Sequence, residues 1–260
     1  MSVKPLPLLL FAASVLSLAA CSMSAQNVKT YGYRVEEAFP HDVSAYTQGL
    51  FFHEGVLYES AGQYGESSFR QVDLATGRVL RRMNFEGRYF AEGSCVLNGR
   101  LYVLTWQEKE CFVYDIKTWE RLGTLRYLGE GWGLTTDGRS LIMSDGTSTL
   151  TFRNPDTFVV ERSVPVTLRG QKVLYLNELE YIKGEVWANV YGTDQIVRID
   201  PDTGVVRGVI NLRNILPQGL RRPRTDVLNG IAFDARSGAV YVTGKYWPKL
   251  YRITLQEKKQ

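Results

Sequence analysis

Short apolar strands alternate with glycine-centred turns along most of this chain, and the arrangement repeats five times. Each copy has a glycine turn, an apolar stretch of period two, a polar loop and a second such stretch, often ending at an acidic turn. The copies read GVLYESAGQYGESSFRQVDLATG from Gly55, GRLYVLTWQEKECFVYDIKTW from Gly99 and GRSLIMSDGTSTLTFRNPDTF from Gly138. Two more read GEVWANVYGTDQIVRIDPDTG from Gly184 and GAVYVTGKYWPKLYRIT from Gly238. A repeat of roughly 40–50 residues built from period-2 strands is the pattern of a ring of small antiparallel sheets. No long stretch carries apolar residues at the 3.6 spacing of a helix. The pattern therefore predicts an all-β chain folded as a five-bladed β-propeller. Its last repeat stops after two strands (240–243 and 250–255), while an alternating segment (31–39) precedes the first. Joining the two predicts that the N-terminal strand completes the C-terminal blade and removes an exposed sheet edge.

That topology gathers residues far apart in sequence. The innermost strands start at Gln48, Glu92, Trp132, Asn177 and Asn229, and the second strands end near Ala61, Trp106, Ser144, Asn189 and Thr243. In an antiparallel up-and-down sheet those two points lie on the same rim. One mouth is thus expected to hold Gln48, Glu92, Trp106, Trp132, Asp145, Asn177, Tyr191 and Lys245. Rings mixed with a few convergent polar groups are the usual lining of a small-ligand pocket. The competing structural explanation is that the tryptophans cap sheet cores and the polar residues solvate a channel.

The N-terminus changes the domain picture. Lys4 precedes an apolar run (6–20) that ends in LAAC at Cys21, the layout of a secretory signal. The small residues before Cys21 resemble a bacterial lipobox, with an ordinary signal cleaved nearby as the alternative. The expected organisation is a leader over 1–20, a polar tether over 21–30 and a catalytic propeller over 31–260. Export to the periplasm or cell envelope follows, with the membrane reached only through a lipid on Cys21. Cys95 and Cys111 fall on the first and third strands of one sheet, too far apart to bridge, so two buried thiols are expected.

Charge and metal chemistry narrow the classes. The net charge of +4 is mild. Its only basic clusters, Arg221-Arg222-Pro223-Arg224 and Lys258-Lys259, lack the stripe of a nucleic-acid binder. His41 and His53 are the only histidines, and neither has the spacing of a zinc site. No cofactor or catalytic metal is expected, although a structural cation near the turn aspartates (Asp73, Asp115, Asp156, Asp200, Asp202) stays open beside the simpler reading of Asx turns. Phosphate-loop, dinucleotide and GxSxG signatures are lacking. A monomer is the default.

The motifs YTQGL (46–50), FAEGS (90–94), LTW (104–106), EGWGLT (130–135) and MSDGT (143–147) carry a resemblance, continued by LNELE (176–180), VWANVY (186–191), VLNGIAF (227–233) and VTGKYWPKLY (242–251). In this order they resemble the plant-type glutaminyl-peptide cyclotransferases, which also occur in bacteria. The resemblance implies a five-bladed propeller that converts N-terminal glutamine of peptides or proteins to pyroglutamate and releases ammonia. It also implies Glu92 as acid/base, with Gln48, Trp106, Trp132, Asn177 and Lys245 as pocket residues. Taken with the rim reading, the expected site has Glu92, Asn177 and Lys245 in the catalytic set and Tyr46, Gln48, Phe90, Trp106, Trp132, Asp145 and Tyr191 around the substrate. Tyr46 stands where the family commonly has Phe, and Tyr191 where plant members commonly have Trp.

Read from the chemistry, cyclisation is an intramolecular attack of the α-amine on the side-chain carboxamide, so the enzyme has to freeze one rotamer and move protons. One carboxylate between the two nitrogens serves both transfers. Glu92 is the choice, with Glu130, Glu178 and Glu180 also near the rim by pattern. Glu178 and Glu180 read better as groups that orient backbone or neighbouring blades. Asn177 and Lys245 are candidate donors to the developing oxyanion, though Lys245 has Asp145 as a possible ion-pair partner. Gln48 is a candidate holder of the first peptide group. The rivals are a non-catalytic peptide-binding propeller of the cell envelope and a hydrolase built on Glu92 and Asp145.

Overall fold

The computed structural model describes Met1 and residues 28–258. The rest of the leader, Cys21 and most of the expected tether lie outside them. Among the described residues the regular structure is all β apart from one 3-10 turn at Gln218–Leu220. After β1 (Lys29–Pro40) come β2 (Thr47–His53), β3 (Val56–Ala61), β4 (Ser68–Val72) and β5 (Val79–Asn84), paired in that order as one four-stranded antiparallel sheet. The next sheet holds β6 (Ala91–Leu97), β7 (Arg100–Thr105), β8 (Glu110–Asp115) and β9 (Arg121–Arg126). A third holds β10 (Leu134–Thr136), β11 (Leu141–Met143), β12 (Thr149–Arg153) and β13 (Val160–Pro165). A small hairpin, β14 (Thr167–Leu168) with β15 (Gln171–Lys172), leads into β16 (Leu176–Ile182), β17 (Glu185–Val190), β18 (Gln195–Ile199) and β19 (Val206–Asn211). The chain ends with β20 (Leu228–Asp234), β21 (Ala239–Gly244) and β22 (Lys249–Glu257).

The expected five-bladed propeller is corrected by the pairing of these last strands. They do not form two separate sheets but one of eight strands, in the order β16-β17-β18-β19-β1-β22-β21-β20. The described residues therefore fold into three four-stranded sheets, a hairpin and one continuous eight-stranded sheet. The cause is β1. It runs antiparallel to β22 from Tyr31 opposite Glu257 to Pro40 opposite Lys249. Its first residues, Lys29, Thr30 and Tyr31, also pair in parallel with Gly208, Val209 and Ile210 of β19. A strand read as the outer edge of one unit is thus bonded on both sides, and it begins two residues inside the expected tether. Period-2 alternation announces a strand but says nothing of how many neighbours it will have.

The first strands of the repeats, β2, β6, β10, β16 and β20, pack side by side in a closed cycle, each against the next and β20 back against β2. Close approach around this cycle requires glycine. A Cβ on Gly93 of β6 would sit 2.4 Å from the backbone nitrogen of Leu134. Apolar clusters fill the wedges between neighbouring sheets. One joins Ile142, Leu150 and Phe152 of the third sheet to Leu179, Val186 and Val197 of the next. Another joins Leu50 and Leu57 of the first sheet to Ala232, Tyr241 and Leu250 of the last. Cys95 and Cys111 are both free and buried, on β6 and β8 with β7 between them.

Candidate active site

One irregularity, repeated in four places, builds the site. The pairing of the first two strands of a unit slips by a bulge at Thr47/Gly49, Ala91/Ser94, Leu176/Leu179 and Leu228/Ile231. Gln48, Glu92, Asn177 and Asn229 occupy these slips, and all four are buried. A bulge re-aims a side chain away from the regular pleat; Gln48, Glu92 and Asn177 turn towards the mouth, while Asn229 turns against the backbone of the first sheet.

A second repeated contact fixes the opposite wall. Gly62, Trp106, Tyr191 and Lys245 each donate a backbone N–H, all at 2.9 Å, to the carbonyls of Tyr46, Phe90, Tyr175 and Val227. Each of these carbonyls lies two residues ahead of a bulge residue, so Trp106, Tyr191 and Lys245 occupy equivalent positions in their units. In the third sheet Trp132 takes the place of the bulge residue. Its ring lies across Gly146, whose left-handed backbone (φ 79°) has no side chain; a Cβ there would sit 2.6 Å from the ring.

Neighbouring sheets hold the site residues' backbone. Ser60 Oγ donates to the carbonyl of Glu92 at 2.6 Å, and Ser144 Oγ to that of Asn177 at 2.7 Å. Asn229 Nδ2 donates to the carbonyl of Thr47 at 2.9 Å.

These elements enclose a cavity of about 290 Å³. Its rings are Tyr46, Phe90, Trp106, Trp132 and Tyr191, and its polar groups are Gln48, Gln63, Glu92, Asn177 and Lys245. Every expected site residue within the described chain except Asp145 is thus brought to one cavity. Asp145 accepts from the backbone and hydroxyl of Thr147 at 3.0 and 2.6 Å, capping its own turn. Lys245 takes a different partner from the Asp145 alternative. Lys245 Nζ donates to Gln48 Oε1 at 2.8 Å, and Gln48 Nε2 donates to Glu92 Oε1 at 3.0 Å. The Gln48 amide is therefore engaged at both ends between the lysine and the carboxyl group, instead of being free for a substrate peptide group.

The electrostatics follow from burial. Glu92 is 4 % exposed. Desolvation pushes its carboxyl well above the ordinary range; Lys245 opposes this, and the charges of Glu130 and Glu108 add to it. Desolvation lowers Lys245 to about 8, against the pull of Glu92 and Asp226. The ammonium lies 4.3 Å from the Tyr46 ring centre and 5.3 Å from that of Tyr191, a cation–π arrangement on two sides. Burial also raises the Tyr46 phenol, helped by the negative charge of Asp226. Asn177 Oδ1 is buried without a hydrogen-bond partner. A buried acceptor left empty costs about 1–3 kcal/mol, which a bound N–H donor would recover.

Glu178 and Glu180 serve the frame. The two oxygens of Glu178 accept the backbone N–H groups of Leu50 (3.2 Å) and Ile231 (2.8 Å), tying β16 to β2 and β20. Glu180 accepts that of Phe233 at 2.9 Å. This agrees with reading both as backbone-orienting groups. Gln63 and Asp226 were not singled out from the sequence. Gln63 follows Gly62, the counterpart of Trp106, but its own repeat counterpart, Gln107, is not part of the cavity lining, so repeat matching does not mark it. Asp226 sits in the loop before β20, and no periodic signal marks it.

Among the described residues no group of three or more His, Cys, Asp or Glu side chains is gathered that could hold a metal ion. His41 is taken up between the Trp247 carbonyl (2.7 Å) and Glu59 (3.1 Å). Asp73, Asp115 and Asp200 hold their own turns, Asp115 with the N–H groups of Lys117 and Thr118, both at 2.8 Å, while Asp156 pairs with Arg100 and Asp202 with Arg162.

The chain is similar to known proteins over most of its length. It is 45 % identical over 225 residues to a glutaminyl-peptide cyclotransferase of Arabidopsis thaliana, covering 84 % of this chain and 70 % of that protein. The crystal structure of Myxococcus xanthus glutaminyl cyclase superposes with a TM-score of 0.83 at 37 % identity, over 89 % of this chain and all of that one. With residues 8–255 matching the family as a whole, this chain belongs to the glutamine cyclotransferase family.

Proposed function

We propose that this protein is a glutaminyl-peptide cyclotransferase that closes N-terminal glutamine of peptides or proteins to pyroglutamate with release of ammonia. The observation that carries the reading is a buried Glu92, its carboxyl pushed up by desolvation, in a cavity of about 290 Å³ walled by rings. In the reaction the α-nitrogen forms a bond to the side-chain carboxamide carbon, and the bond from that carbon to the amide nitrogen breaks. One proton leaves the attacking nitrogen and one joins the departing nitrogen, so a single carboxyl group can carry it across and end as it began. A carboxyl whose pKa is raised towards neutrality suits both transfers. No co-reactant is needed.

The remaining roles follow from the contacts. Gln48, fixed between Lys245 and Glu92, sets the orientation of both. Lys245 supplies positive charge towards the oxygen that becomes anionic in the tetrahedral intermediate. The empty acceptor of Asn177 suits a substrate N–H. Trp106, Trp132, Phe90, Tyr46 and Tyr191 clamp the aliphatic stem and exclude water, which would otherwise hydrolyse the amide. A Gln-initiated dipeptide incubated with the protein is expected to yield equal amounts of ammonia and pyroglutamyl product, with or without a chelator. No ammonia above background ends the cyclase reading, and abolition by the chelator ends a mechanism run by side chains alone.

The leader pattern before Cys21 supports export and lipid attachment at that cysteine. Cys21→Ser is then expected to move the protein from the membrane fraction to the soluble envelope fraction.

A further inference from the structure

The rings around the cavity form an almost continuous belt. Tyr46 meets Phe90 at 6.0 Å between centroids, Phe90 meets Trp106 at 5.6 Å, and Trp132 meets Tyr191 at 5.6 Å. The Lys245 ammonium joins Tyr191 back to Tyr46. At the step between Trp106 and Trp132 the link is a carboxylate. Glu130 Oε2 accepts the indole N–H of Trp106 at 2.8 Å and that of Trp132 at 3.0 Å, while Oε1 accepts from Gln107 Nε2 at 3.2 Å. An indole has a single N–H, so one shared oxygen fixes the tilt of both rings at once.

Resting on the cyclase reading, we propose that Glu130 is a positioning residue that locks Trp106 and Trp132 into one wall and sets the field at Glu92. Partial burial favours its neutral form, but the hydrogen bonds from Trp132, Trp106 and Gln107 outweigh this and hold it ionised. Its negative charge then faces Glu92, together with Glu108 of the same sign and Lys245 of the opposite sign. The phenols of Tyr46, Tyr64 and Tyr127 also lie within range of the Glu92 charge. Because the tryptophan wall grips the unreactive stem equally in ground and transition states, loosening it should weaken binding more than turnover.

The test compares wild type with Glu130→Gln and Glu130→Ala, measuring ammonia release from a Gln-initiated dipeptide across pH, with tryptophan emission and melting temperature alongside. Glu130→Ala is expected to raise KM about ten-fold, the equivalent of one charge-assisted hydrogen bond, with kcat little changed and emission shifted to the red. Glu130→Gln keeps the shape but removes the charge, so the acid limb of kcat/KM should move to lower pH. Unchanged KM, emission and acid limb in both variants overturn the proposal. Loss of kcat at constant KM also overturns it, since Glu130 would then be the proton carrier. A wild type that releases no ammonia defeats the cyclase reading instead, and the emission shift still reports on the tryptophan lock.

Discussion

Glu92 and Glu178 form an instructive pair. Both lie on first strands of their units, both are nearly inaccessible at 4 % and 1 % exposure, and desolvation pushes both carboxyl groups well above the ordinary range. They differ in what fills their oxygens. Glu178 spends one on Leu50 and the other on Ile231, each a backbone N–H of a neighbouring strand. Glu92 accepts one side-chain amide, from Gln48, and fronts a cavity. A raised pKa thus marks burial in both places, and reactivity is left only where hydrogen-bonding capacity faces an open space. Perturbed carboxyl groups are candidates for chemistry, but structural networks perturb them equally well.

Four measurements would break or sharpen that contrast. The largest effect is expected from Glu92→Gln, which should lower kcat by about 10²–10⁴, the usual worth of general acid–base catalysis, while melting at or above the wild-type temperature because no charge needs burying. A variant that stays active would transfer the proton-carrying role elsewhere. Next, Lys245→Met should cost about 10²–10³ in kcat, as loss of one oxyanion donor does, and should remove any kinetic limb near pH 8. Retention of that limb would detach it from the lysine.

Glu178→Ala should act on the frame instead. It strands two buried N–H groups, so a loss of about 2–4 kcal/mol in unfolding free energy is expected, with kcat per folded molecule nearly unchanged. A large drop in kcat without destabilisation would erase the distinction drawn between the two carboxyl groups. The effect smallest on turnover concerns pH. Burial raises Glu180 to about 8, so the folded protein keeps a proton that the unfolded chain releases near the ordinary 4.5. The folded state binds more protons between those values, and stability therefore falls as pH rises through that window. Glu180→Gln should flatten that decline, as followed by urea unfolding at pH 5 and pH 8.

Much of the site was legible before any coordinates. Glu92, Trp106, Trp132, Asn177 and Lys245 were gathered by the rule that strand starts and strand ends share a rim, and they line one cavity. Asp145 failed that rule because its side chain found a nearer use, in the turn with Thr147. Gln48 was read as a substrate contact, yet Lys245 and Glu92 claim both ends of its amide. The five-bladed division failed at β1, whose second edge pairs with β19 and fuses two units into one eight-stranded sheet.

The sequence by itself determined the strand class, the repeat and the residue types at each repeat position, because hydrophobic period and turn glycines are local properties that neighbouring residues impose on one another. Only the tertiary structure decided which strand edges meet, which carboxyl oxygens are already occupied, and which charges face one another across the cavity. Those outcomes depend on groups brought together from distant parts of the chain, where burial and hydrogen-bond geometry set the energies.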